Sequence, residues 1–145
     1  MTTHRVTTTA ELEAQIRLVL TSGDLDFEVP AGAAATITIG SNQVAIFAMQ
    51  LEGGDLLIRL ASILARGAAP GSELFEYVAR ENAEILFGRM SIMDSTELMG
   101  AVDLWFDHMM FSEDFDPADF IRTLDLFAKA ADLRDDDIVA RFGGV

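Results

Sequence analysis

The residues best equipped for chemistry share one short run, DLWFDHMMFSEDFDP, from Asp103 to Pro117. His108 stands there with Asp103, Asp107, Glu113, Asp114 and Asp116 close by in sequence. An imidazole among carboxylates could hold a divalent metal or pass a proton. The pattern argues against both. A zinc site needs further His or Cys ligands, but the chain has no Cys and only one other His, His4. SEDFDPAD lacks the alternating ligands, central Gly and closing Glu of a calcium loop. There is no GxSxG, and a Ser–His pair would have to rest on His108 alone. Gly53-Gly54 and Gly143-Gly144 read as a turn and a tail rather than phosphate loops. Asp116, just before Pro117, has a simpler task as a helix cap. Acidic pairs carry no information in a chain with 24 Asp and Glu. The sequence therefore predicts no catalytic residue, no metal and no cofactor, and a protein that is not an enzyme.

What the run does hold is apolar bulk. It contains the single Trp, Trp105, with Met109, Met110 and Phe111 close behind. Alternation predicts one long strand over residues 97–111, whose side chains fall on two faces. Leu98, Gly100, Val102, Leu104, Phe106, His108 and Met110 form a nearly uniform core face. Met99, Ala101, Asp103, Trp105, Asp107, Met109 and Phe111 form a mixed one. Two unpaired carboxylates would be costly on a buried face, and a Trp/Met/Phe row is rare on a solvent face. Aromatic, Met and polar groups together are typical of interfaces. A partner or subunit surface is one reading; the other is ordinary packing under the second helix or the tail, with the Asp residues at its rim.

The elements that position this run follow from periodicity. Thr7-Thr8-Thr9 caps a helix over roughly 9–22, with Leu12, Ile16, Val19 and Leu20 on one face and Gly23 as terminator. Residues 34–39, 44–51 and 56–64 read as three antiparallel strands joined by short Gly-rich turns, with a possible short strand at 24–29. GAAPG, 67–71, reads as a connection, and Ser72 as cap of a helix over roughly 73–85. Strands at 87–93 and 97–111 follow, then a helix entered through Asp116-Pro117 with Phe120, Ile121, Leu124, Phe127, Ala128 and Ala131 as its apolar face. The tail, residues 135–145, carries Asp135-Asp136-Asp137 and reads as a short helix that docks or frays. The order, helix, three strands, helix, two strands, helix, predicts an α+β fold with one antiparallel sheet and helices packed mainly on one face. The length, 145 residues, suits one domain, with residues 1–8 and 143–145 mobile.

Charge narrows the partners. Ten Lys and Arg against 24 Asp and Glu leave a net charge of −14. Phosphate backbones and anionic lipid would repel such a chain, so neither nucleic acid nor a membrane is expected as partner. A basic protein partner is compatible with it. The lack of Cys suits a reducing, cytoplasmic setting. No signal peptide or membrane span is read.

FEYVARENAEILFGRMSIMDSTELMGAVDLWF, Phe75 to Phe106, followed by DPADFIRTLDLFAKAAD, Asp116 to Asp132, resembles the YbjN-like domains. These share a fold with type III secretion chaperones of the CesT kind. The matching features are a helix ending near Asn82, a strand opened by Phe87-Gly88-Arg89, a hairpin whose second strand alternates, and a helix entered through Asp-Pro. The resemblance covers about the last 70 residues, and the first half only by element order. It implies a small acidic bacterial protein, often a homodimer, that holds an extended peptide. It places a dimer interface over the second helix and the hairpin, roughly 75–85 and 87–111. On that basis Tyr77 and Met93 join Met99, Trp105, Met109 and Phe111 as candidate partner or dimer residues. The family also includes regulators of sensory transduction, so an acidic regulatory or inhibitory binding module is the alternative function.

Overall fold

The computed structural model describes residues 6–145. Three helices and five strands alternate as expected: α1 (Thr9–Ser22), β1 (Ala35–Ile39), β2 (Asn42–Gln50), β3 (Leu56–Ala68), α2 (Ser72–Glu84), β4 (Arg89–Asp94), β5 (Val102–Phe111) and α3 (Pro117–Phe142). The strands form one antiparallel sheet in the order β1-β2-β3-β5-β4. All three helices lie on the same face: α3 over β3 and β2, α1 over β1 and β2, and α2 beside β4.

The core is built where the two periods meet. Leu12, Ile16 and Leu20 of α1, and Phe120, Leu124, Phe127 and Ile138 of α3, are all buried. They meet every second residue of the strands: Ile37, Val44, Ile46, Ile58, Leu60, Leu104 and Phe106. Phe106 and Phe127 stack with ring centroids 5.0 Å apart. Each such side chain removed from water contributes about 1.5–3 kcal/mol before ordering costs.

Local caps behave as the residue types dictate. The Thr8 side chain accepts from Glu11 N, and Asp116 accepts from Asp119 N with Pro117 in the first turn. Ser72 differs from expectation: Gly71 occupies the cap position without a side-chain hydrogen bond, and Ser72 is already helical.

Four boundaries move. The strand expected over 97–111 begins at Val102, because Ser95 Oγ accepts the N–H groups of Glu97 and Leu98 and Gly100 turns at φ 82°. The connection expected at 67–71 starts later, since β3 runs on to Ala68 through bulges between Ile63 and Ala68. The strand expected at 24–29 reduces to one bridge, Glu28 to Thr36. The tail is not a separate piece. Helix α3 runs 26 residues to Phe142, because Ile138 repeats the apolar stripe seven residues after Ala131. At its end Val145 exchanges two backbone hydrogen bonds with Arg66, of 2.9 and 3.0 Å. Residues 1–5, including His4 and most of the expected N-terminal mobile segment, lie outside the described residues.

Candidate functional site

With the helices gathered over the core side, no helix packs across the other face of the sheet among the described residues. Register fixes which side chains occupy it. Met49, Leu57 and Phe111 form one row; Phe47, Arg59 and Met109 the next. Ala45, Ala61, Asp107 and Arg89 form a third, and Ile63, Trp105 and Ser91 a fourth. Met93 and Asp103 pair beyond it. Met49, Met109, Phe111 and Met93 stand 36, 42, 53 and 54% exposed. Phe47, Ile63 and Trp105 are half-buried.

The two carboxylates that made the strand hard to read from sequence both have distant partners. Asp103 Oδ1 accepts from Gly67 N at 3.0 Å, holding the β3 bulge where Gly67 turns at φ 73°. Asp107 is 4% exposed. Its Oδ2 accepts from Arg59 Nε and Nη2 at 3.2 and 3.0 Å. Arg59 also lies over the Phe47 ring, 5.8 Å from its centroid. On the other side Arg89 Nε stands 3.5 Å from Asp107 Oδ1, with the Arg89 side chain 67% exposed. That oxygen is buried and accepts no hydrogen bond among the described residues. Two guanidiniums and one carboxylate thus form a net-positive centre in an apolar sheet.

Gly88 makes the Arg89 position possible. It turns at φ 80°, and a Cβ there would lie 2.6 Å from Phe106 Cζ. Only glycine lets the chain enter β4 this close to β5. Asn82, in the last turn of α2, then fixes β4 from outside. Its Nδ2 donates to Met90 O at 2.9 Å and its Oδ1 accepts from Met90 N at 2.7 Å.

The sequence candidates divide. Trp105, Met109, Phe111 and Met93 share the open face. Met99 does not: it lies in the β4–β5 turn and is 99% exposed. Tyr77 lies on the helix side. Its ring meets Phe142 at 5.2 Å, Arg141 sits above it, and its hydroxyl reaches Asp137 at 3.5 Å. Burial first, then Glu81 and Asp137, push the Tyr77 phenol up from its ordinary value. His108 is on the core face, stacked on Phe87 with centroids 4.1 Å apart. Burial holds its imidazole below the usual value, against the opposing pull of Asp107. Among the described residues no group of three or more His, Asp or Glu could hold a metal.

Sequence reasoning missed half of the face: Phe47, Met49, Leu57, Arg59 and Arg89. A signal existed. VAIFAMQL alternates, with Val44 and Ile46 inward, so Phe47 and Met49 must point outward. An Arg inside the apolar run LLIRLASIL also demands a partner.

The family model described as "T3SS (YopN, CesT) and YbjN peptide-binding chaperone 1" matches residues 10–145. The crystal structure of YbjN from E. coli superposes with a TM-score of 0.64 at 11% identity, covering 88% of this chain and 90% of that one. No curated protein matches the chain.

Proposed function

The chain belongs to the family of type III secretion and YbjN peptide-binding chaperones, and from that premise we propose that its open sheet face binds an extended segment of a client protein. The protein acts without catalysis, as one domain of a cytoplasmic homodimer, and Trp105, Met109, Phe111 and Met93 supply the apolar contact. The observation that carries this reading is the open sheet face: rows of exposed Met and Phe side chains beside the half-buried Trp105, with no helix across them among the described residues. A monomer gains nothing from such a surface in water, whereas a partner gains from covering it. Its Met residues adapt to varied apolar side chains. The negative charge of the surrounding surface favours a client that is basic overall and opposes nonspecific self-association.

Met109→Asp and Phe111→Asp test this, since both side chains are largely exposed and neither holds the core. Each variant should keep the wild-type circular dichroism and melting temperature. Tagged wild type should capture from the source cells a specific protein that both variants lose, and size-exclusion light scattering should report a dimer. Capture unaffected by either charge would remove the face from client binding.

A further inference from the structure

We infer that the open face carries a carboxylate-binding position at Arg89, read by a client side chain flanked by apolar ones. This rests on the peptide-binding reading above and specifies its chemistry. Arg59 is committed to Asp107 through two nitrogens. Arg89 is not: one nitrogen lies 3.5 Å from Asp107 Oδ1, and most of its guanidinium faces solvent. Among the described residues no other carboxylate lies within ion-pair distance of it. Asp107 offsets only one of the two cations, so the centre retains a net positive charge. An apolar segment laid across it would strand that charge out of water. A carboxylate arriving there pairs with the outer edge of the Arg89 guanidinium in a forked geometry. The inner edge meanwhile closes on Asp107 Oδ1, the buried acceptor that lacks a donor.

Spacing sets the rest of the motif. Along β5, Met109 and Trp105 flank Asp107 two residues to either side on the same face, about 7 Å away each. An extended segment running along β5 has the same period. It therefore places an acidic side chain over Arg89 and apolar ones, two positions before and after, over Met109 and Trp105. This preference runs against the overall charge of −14. The distant acidic residues act through solvent, where charges are screened beyond about 8 Å at physiological salt. Arg89 acts at contact.

Three fluorescent peptides decide the matter: Lys-Lys-Leu-Thr-Leu-Thr-X-Thr-Leu-Thr-Leu-Lys-Lys with Glu, Gln or Lys at X, titrated by anisotropy at physiological salt. The Glu peptide should bind about tenfold more tightly than the Gln peptide, a difference of about 1.4 kcal/mol. Arg89→Gln should erase that advantage, so that the Glu and Gln peptides bind the variant equally. A Lys peptide that binds best, or a Glu preference that survives Arg89→Gln, overturns the inference. Equal binding of all three, lost in Met109→Asp, overturns the carboxylate position and leaves the apolar peptide site standing. Failure of all three to bind removes both.

Discussion

At the scale of single residues, the sheet shows how a polar group survives on an apolar face. Asp107 is almost wholly buried and stays there because Arg59 meets it from the neighbouring strand. The partner is 48 positions away in sequence. That distance is why the strand's residue types alone left its mixed face undecided. His108, one position on, is a packing residue whose titration can be read. Folding holds its imidazole below the ordinary value through burial. Above both values the residue is neutral in either state and contributes no pH dependence. As pH falls through about 6.5 the unfolded chain takes up the proton first. Stability should therefore drop between about pH 7.5 and 5.5. Urea midpoints measured at both pH values should fall further for wild type than for His108→Phe, which keeps the stack on Phe87. An equal fall in the two proteins would trace the drop to other groups.

At the scale of elements, helices were the most legible part. The span of α1 matches the Thr cap, the apolar stripe and Gly23. Helix α3 begins where Asp116-Pro117 indicates, and it outran the expected end because three consecutive Asp residues look like a solvated break. Asp136 and Asp137 face solvent and Asp135 is half-buried, while Ile138 continues the stripe. Strand ends were less legible, since they depend on turns and bulges closed by remote side chains, such as Asp103 on Gly67. The candidate face was half legible: β5 shows its own alternation, but β2 and β3 lie beside it only after folding. The β4–β5 hairpin carries its own test. Gly88→Ala adds a methyl group against Phe106 at a backbone angle that disfavours any side chain. It should cost about 2 kcal/mol or more, read as a lowered urea midpoint at unchanged slope. Arg89 would shift with it, so the same variant should also weaken binding of the Glu peptide.

At the scale of the whole molecule, charge and apolar surface are segregated. The sheet face carries Arg59 and Arg89 against Asp103 and Asp107, so its charges cancel, and the net −14 resides elsewhere on the chain. That excess repels itself within one folded chain. Added salt should therefore stabilise the protein: the melting temperature should rise from about 20 mM to about 300 mM sodium chloride, as the Debye length shortens. A falling melting temperature would mean that the attractive pairs outweigh the repulsion.

The sheet's two outer strands add a last consequence. The backbone of Thr36 on β1 is already tied to Glu28, and that of Met90 on β4 to the Asn82 amide. A sixth strand would have to break these bonds before it could add its own. Lateral growth of the sheet, the route by which exposed strand borders seed fibrils, is therefore obstructed at both borders. With their outward backbone groups held at Thr36 and Met90, the molecules should stay separate on concentration rather than join strand to strand into filaments.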